Sequence, residues 1–309
     1  MKVLVTGGAG FIGSHIVDTM IEKGYEVCII DNMSHGKERN INNEAKLYKM
    51  DIRDSKVIDI FQIEKPDYVI HEAAQICVNN SITNPVEDAE INIIGTINVL
   101  EGCKNAGVKK IIYPASAAIF GNPKYLPIDE NHPLGMISQY GVTKHAVEHY
   151  LRVYKYLYGI DYVCLRYSNV YGPRQDSSGE GGVVSIFCDK VRKGETPIIY
   201  GSGQQIRDFV YVKDVVRANI MALESEKSGI YNVCTNTKIT INELLICIEK
   251  IFNVDIDPRH VKERKGDIRD SYMSYEKIYK ELGWKPQYKL IDGINGIKNH
   301  LKFLSIDKF

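Results

Sequence analysis

The sequence predicts an α/β protein built on a doubly wound parallel sheet, with a smaller mixed domain toward the C-terminus. Three observations lead there. A β-branched run is followed by a glycine-rich turn, an amphipathic segment and a second β-branched run ending in an acid. Strand-like and helix-like segments then alternate through the first half of the chain, the pattern of a parallel sheet covered by helices. Beyond about residue 175 the alternation weakens.

Lys2–Val5 is the first strand. A helix follows from about Ser14 to Lys23, closed by Gly24, and Glu26–Ile30 is the second strand. Between them, Gly8, Gly10 and Gly13 satisfy G-x-G-x-x-G, while Gly7, Gly10 and Gly13 satisfy G-x-x-G-x-x-G. Glycine there allows positive φ, close approach of the backbone to a pyrophosphate, and tight helix–strand packing. The helix N-terminus then offers unpaired N–H groups to phosphate. Asp31 stands 18 residues after Gly13, at the end of the second strand. A carboxylate there accepts from adenosine ribose hydroxyls and repels a 2′-phosphate, favouring NAD over NADP. A glycine turn that merely packs elements is the alternative; the strand, helix and acid in register argue against it. The unit is Rossmann-type.

Further strands are expected at Asp67–His71, at 109–116 and at 161–172, with a helix over Asn92–Lys104. HEAAQ, PASAAIFG and RYSNVYGP fall at the C-terminal ends of these strands, where ligands bind in open α/β sheets. QYGVTKH, 139–145, opens a tyrosine-rich helix and sets Tyr140 and Lys144 four residues apart. Such residues share a helix face, with Cβ atoms roughly 5–6 Å apart. A free tyrosine titrates near pH ~10; a nearby ammonium favours its phenolate and makes it a usable base. A solvated Tyr–Lys pair is the other reading of so short a pattern. Residues 176–182 read as a loop, KGETPIIYGSGQQIRDF as turn, strand and turn, and 214–224 and 240–252 as helices. The expected division is 1–175 for the cofactor and catalytic group, and 176–309 mainly for substrate, with segments crossing back.

Composition narrows the function classes. The chain has 309 residues, with 44% hydrophobic and 25% charged, an ordinary globular balance. Lys+Arg and Asp+Glu are both 39, which gives no support for a nucleic-acid or anionic-membrane partner. No apolar run approaches the ~18 residues of a membrane span. The apolar N-terminus resembles a signal peptide, but glycines interrupt it and no cleavage site follows. Seven scattered cysteines with no C-x-x-C pair suit a reducing cytoplasm better than disulfides or a metal site.

TGGAGFIG, DNMSHG, MDIRD, HEAAQ, SAAIFG, YGVTK, LRYSNVYGPRQ, GSGQQIRDFVYVKDV and RKGDIR occur in that order over residues 6–269, with GWKP beyond. In these motifs the chain resembles the extended short-chain dehydrogenase/reductase family, in its sugar-nucleotide epimerase/dehydratase branch. The likeness is greatest to members that epimerise UDP-glucose and UDP-galactose. It implies that Gly7, Gly10, Phe11, Ile12 and Gly13 lie along the NAD pyrophosphate. Asp31 and Asn32 hold the adenosine ribose, and Asp51 and Ile52 line the adenine pocket. Ala73, Ala74 and Gln75 run under the cofactor, with Asn92 near its diphosphate or ribose. Ser116, Tyr140 and Lys144 form the catalytic triad. Asn169, Tyr200, Arg207, Arg264 and Asp267 face the UDP-sugar; arginine's planar donors suit phosphate. The helices near 92–104 and 144–158 match those that pair in a family homodimer. Against these, HEAAQ also suits simple packing, and Arg264 and Asp267 a surface ion pair. His71 and Trp284 read as structural, and Tyr150, Tyr154, Tyr156 and Tyr158 as core or interface.

Three activities compete: a 4-epimerase, a dehydratase or decarboxylase on the same fold, and a non-catalytic dinucleotide binder. The dehydratases of this family place Asp-Glu directly after the triad hydroxyl, and the decarboxylases place a glutamate second. Here Ala117 and Ala118 occupy those positions, and alanine has no proton to move. An epimerase needs neither group, because hydride leaves C4 and returns to it after the 4-ketose turns over. An intact triad disfavours a pure binder. The chain departs from the family at Ala115, Phe120 and Ser168. Ser271, four residues after Asp267, stands where relatives that reject N-acetylated sugars often carry tyrosine, so UDP-GlcNAc and UDP-GalNAc are expected substrates too.

Overall fold

A computed structural model describes residues 1–178, 181–263 and 268–306. In chain order the first half contains β1 (Lys2–Thr6), α1 (Phe11–Glu22), β2 (Glu26–Asp31), β3 (Lys46–Lys49), α2 (Val57–Glu64), β4 (Tyr68–His71), α3 (Val78–Thr83), α4 (Pro85–Ala89), α5 (Gly95–Ala106), β5 (Lys110–Ser116), α6 (Gln139–Tyr158), β6 (Asp161–Tyr167) and β7 (Asn169–Tyr171). The second half adds α7 (Val183–Lys193), β8 (Ile198–Tyr200), β9 (Ile206–Arg207), β10 (Phe209–Tyr211), α8 (Val212–Glu224), β11 (Gly229–Val233), β12 (Ile239–Thr240), α9 (Ile241–Phe252), β13 (Arg259–Val261), α10 (Glu276–Leu282) and α11 (Leu290–Ile306).

Seven strands form one sheet in the order β11-β6-β5-β4-β1-β2-β3, every adjacent pair parallel. The expected Rossmann-type sheet is present. The order reverses between β1 and β4, so a ligand crevice opens beyond their C-terminal ends. Successive residues of a strand face opposite sides of a sheet. Accordingly Val3 and Val5 join the core shared with α1 and α8, whereas Leu4 joins the core shared with α2, α5 and α6.

The chain enters α1 earlier than expected: Gly10 is its N-cap and the helix starts at Phe11. The helix expected over 92–104 is α5 preceded by a π-turn at Glu90–Ile94. The run 161–172 does not stay in one sheet. Ser168 N–H bonds Val233 O at 3.1 Å and Asn169 N–H bonds Asp208 O at 3.0 Å, so the strand changes partner and β7 pairs with β10. That exit carries Asn169 away from the cofactor layer. The other small ladders are β12–β9 and β13–β8. His71 is locked between Thr6 Oγ1 and Thr96 Oγ1, at 2.6 and 2.9 Å. Trp284 is fully buried and donates to Asp214 O at 3.0 Å. Both are held by protein partners, as expected of structural residues. Among the described residues no helix is long and apolar enough to cross a membrane.

Candidate active site

Two glycines shape the turn after β1. Gly7 has φ +68°, and a Cβ there would lie 2.7 Å from Ala73 N. A Cβ on Gly13 would lie 2.2 Å from Gly7 O. The turn is therefore drawn tight between α1 and the segment leaving β4. Ser14 N–H is the first in α1 to find a carbonyl, Gly10 O at 3.2 Å. The N–H groups of Phe11, Ile12 and Gly13 stand at the open end of the helix, where an anion is favoured. Asp31 is held by Ala9 N–H at 3.0 Å and Met33 N–H at 2.8 Å. Asn32 donates to Asp51 at 2.9 Å. The Arg53 guanidinium beside Asp51 holds that carboxyl well below the usual range. Ile52 is buried where α5 begins, against Gly95. A turn with no room for Cβ, an open helix end and a fixed carboxylate fit the pyrophosphate and ribose of NAD.

Beyond β4 a buried network sets the floor of the crevice. Ala73 N–H bonds Thr6 Oγ1 at 3.1 Å. Gln75 donates to Asp88 at 2.8 Å and its N–H bonds Asn92 Oδ1 at 2.9 Å. Asn92 donates in turn to Gln75 O, Asp88 and Thr143. Thr143 donates to Asp88 at 2.8 Å. Asp88 thus ties α4, the π-turn and α6 to the strand end that carries Ala73, Ala74 and Gln75. Asn92 spends its amide inside this network. These contacts fix Asn92 beside the Gln75 backbone, at the strand end that carries Ala73 and Ala74.

α6 brings the triad together. Ser138 caps it, accepting Gly141 N–H at 3.2 Å, and Tyr140 follows in the first turn. A Cβ on Gly141 would meet Ala118 O at 2.8 Å, so the helix start lies directly on the turn after β5. Ser116 Oγ accepts Ala118 N–H at 3.2 Å, which leaves its own proton for Tyr140, its hydrogen-bond partner. Tyr140 lies deep in the protein, yet part of its surface opens to the crevice. Burial raises its pKa, and the Ser116 bond works the other way. Lys144 differs from the sequence expectation. Its ammonium donates to Pro114 O at 2.9 Å and lies 4.8 Å from the centre of the Tyr113 ring. Burial pulls it down to about 8. The hydrogen-bond partner of Tyr140 is Ser116, while the Lys144 ammonium is held by the Pro114 carbonyl.

On the substrate side, Asn169 amide donates to Asp208 O at 3.0 Å. Arg207 donates to Ile206 O and Arg269 O, at 2.8 and 3.2 Å. Ser271 N–H bonds Ile206 O at 3.1 Å. Asn169, Arg207 and Ser271 are therefore neighbours on adjoining segments. Tyr200 ends β8 and pairs with Val261 of β13. Arg264 and Asp267 lie outside the described residues. Asp208 was not singled out from the sequence. Fully buried, it binds Thr235, the Asn236 N–H and the Met273 N–H. Its signal was its place directly after Arg207 in the RDF run. Asp88, Thr143 and Glu72 were missed as well, though Thr143 lies inside YGVTK and Glu72 inside HEAAQ.

The family match runs over residues 3–234 and is to the NAD-dependent epimerase/dehydratase family. A UDP-glucose 4-epimerase from Thermotoga maritima, crystallised with UDP-glucose, is 42% identical with a TM-score of 0.96, covering 99% of this chain and 100% of that one. This chain belongs to the NAD-dependent epimerase/dehydratase family. Within the family, the Thermus thermophilus UDP-glucose 4-epimerase in complex with NAD is 40% identical, with a TM-score of 0.92 over 98% of this chain and 99% of that one. A UDP-N-acetylglucosamine 4-epimerase from Methanobrevibacter ruminantium, in complex with UDP-N-acetylmuramic acid, is 38% identical, with a TM-score of 0.93 over 99% and 98%. The family's cofactor is NAD, and these members are epimerases, which are isomerases.

Proposed function

We propose that the protein is a UDP-sugar 4-epimerase that interconverts UDP-glucose and UDP-galactose and also accepts their N-acetylated forms. The observation that carries this reading is the triad of Ser116, Tyr140 and Lys144 beside the NAD turn, with alanines at 117 and 118. Dehydration and decarboxylation relatives place carboxylates there; this chain keeps only the groups needed at C4.

Tyr140 takes the proton of the C4 hydroxyl and later returns it. Ser116 hydrogen-bonds the same oxygen and steadies its changing charge. Tyr140 sits in the first turn of α6, where the helix end favours an anion. Bound NAD supplies the hydride acceptor and donor at C4, and its positive ring favours the phenolate. Because the sugar must turn over between the two transfers, the nucleotide is gripped separately. Arg207 and Asn169 serve that grip, and Arg264 and Asp267 are assigned to it by sequence.

Ser271 is the proposed gate for the substituent at C2. Its segment lies on Ile206, next to Arg207, and a serine leaves room for an acetamido group. The test compares kcat/KM for UDP-galactose and UDP-GalNAc in wild type and Ser271→Tyr, without added NAD. The expected result is epimer formation from both sugars by wild type, no net NADH, and selective loss of the N-acetylated substrate in the variant. A 4-keto-6-deoxy product or CO₂ would overturn the reaction class. Equal loss of both sugars would overturn the gate alone.

A homodimer is part of the proposal. α6 exposes Val142, Val153, Tyr156 and Leu157, and Ile94 is exposed just before α5, so an apolar stripe runs where the family likeness places a four-helix interface. Tyr154 is buried instead and donates to Glu101 at 2.6 Å. Sedimentation at micromolar concentration is expected to give a dimer, and a monomer there would remove this reading. The seven cysteines are free, which fits the reducing cytoplasm.

A further inference from the structure

We propose that Arg174 is a positioning residue for the reaction: its ion pair with Asp18 clasps the strand that carries Asn169 to the helix that opens on the NAD pyrophosphate, and so keeps the sugar opposite the nicotinamide while the hydride is away from C4. This rests on the reading of the protein as a UDP-sugar 4-epimerase with Asn169 in the nucleotide grip.

The PRQ end of LRYSNVYGPRQ has no place in the triad, the NAD turn or the substrate grip. It follows β7 closely: Asn169 begins that strand and Tyr171 ends it. Gln175 ties the turn back to the strand, its amide donating to Val170 O at 3.0 Å. Two contacts then carry the turn onto α1. His15 Nε2 donates to Pro173 O at 3.0 Å, with the ring kept neutral because burial pulls it down to about 4. Arg174 Nη1 lies 2.7 Å from Asp18 Oδ2. That nitrogen is buried and makes no hydrogen bond, so the Asp18 charge is its partner. Asp18 is braced on its other oxygen by the Asn42 amide at 2.9 Å. His15 and Asp18 both lie within about two turns of Phe11, Ile12 and Gly13, and the His15 ring meets Phe11 edge-on, with centroids 6.2 Å apart.

The backbone gives a second, independent reason. Arg174 has φ +68°, in the left-handed region where a Cβ is crowded and glycine is at ease. A large residue stays there only when its surroundings hold it, and such strain gathers at clamps and functional sites. The turn alone would be better served by glycine, so the demand for arginine comes from the side chain. Its pair with Asp18 is also sheltered: the two side chains are 24% and 26% exposed, so salt screens it less than an open surface pair. The chemistry says what such a clasp is for. Between the two transfers the sugar is a ketose, and its hydride returns only if it is still in place after turning over. β7 and α1 must keep one distance through that interval. A loosened clasp lets the ketose leave with its hydride still on the dinucleotide and its proton still on Tyr140.

The experiment gives UDP-galactose to NAD-loaded wild type, Arg174→Gly, Asp18→Asn and the charge swap of Asp18→Arg with Arg174→Asp. The readouts are kcat, the fluorescence of NADH trapped on the enzyme during turnover, NAD content and Tm. Glycine suits φ +68°, so Arg174→Gly is expected to keep its NAD and its Tm. Its kcat is expected to fall about tenfold, on the scale of a small misplacement of reacting groups, and trapped NADH is expected to build up where wild type shows none. Asp18→Asn is expected to behave alike. The swap is expected to recover both readouts, since aspartate tolerates the left-handed backbone. Wild-type kcat without trapped NADH in Arg174→Gly overturns the proposal. So does a fall in kcat that merely follows lost NAD or lowered Tm, with no trapped NADH, and so does a folded swap no better than the single variants. Should Arg174→Gly not fold, Asp18→Asn decides on the same readouts. A wild type that does not epimerise UDP-galactose overturns the reading beneath and the clasp with it. An active wild type matched by both single variants overturns the clasp alone.

Discussion

Replacing Tyr140 by phenylalanine is expected to lower kcat by at least about 10²-fold, the lower range for removal of a general acid–base group, while NAD stays bound. The ring and its packing remain, so fold and cofactor content are controls. What is lost is the phenol that hydrogen-bonds Ser116. Steady-state rates on UDP-galactose, with NAD extracted and quantified from the same preparation, make the measurement. A near-wild-type rate would assign the base to another group. The size of the effect reflects how little else in the crevice can do the job. Ala117 and Ala118 carry no proton, and the Lys144 ammonium is committed to Pro114 O.

Gly13→Ala is expected to cost the protein its resident cofactor. The new methyl would sit 2.2 Å from Gly7 O and 2.9 Å from Gly7 C. Both are backbone atoms, so no side chain can swing aside. The turn must open, and the N–H groups at the head of α1 move with it. Overpacking of this kind costs about 1–3 kcal/mol, so the melting temperature should fall. The purified variant should carry little NAD and should gain activity when NAD is added. Full retention of NAD with an unchanged Tm would show that the turn has slack the distances deny.

Much of this was legible in the sequence because it is local. The glycines, Asp31 and the Tyr140–Lys144 spacing are short-range patterns, and β1–α1–β2 follows from them within a few residues. The partner of Lys144 was not legible. Helical spacing puts it on the face of Tyr140, but it cannot say that Pro114 O, 30 residues away in the chain, accepts its hydrogen bond. Asp88 and Asp208 were missed for the same reason: their partners come from distant segments, and only the fold brings Thr143 to one or Met273 to the other. Ser168 was flagged as a departure from the family, and the structure shows it where the chain leaves the main sheet. β11 gave little signal, since GIYNV is short and lies far from the other strands of its sheet.

That last strand constrains how such an enzyme can be rebuilt. β11 closes the edge beside β6, with five residues in register from Gly229 to Val233, and α8 packs on the same face as α1. A protein engineer seeking a new sugar preference cannot graft everything after residue 175 from another epimerase as one cassette. Such a chimera would import a foreign edge strand into the host sheet and a foreign helix against the helix that opens on the pyrophosphate. Exchange is better confined to the stretches around 200–207 and 268–273, whose attachments are short: the Met273 N–H to Asp208, the Ile128–Met273 bridge and the small β9 and β8 ladders.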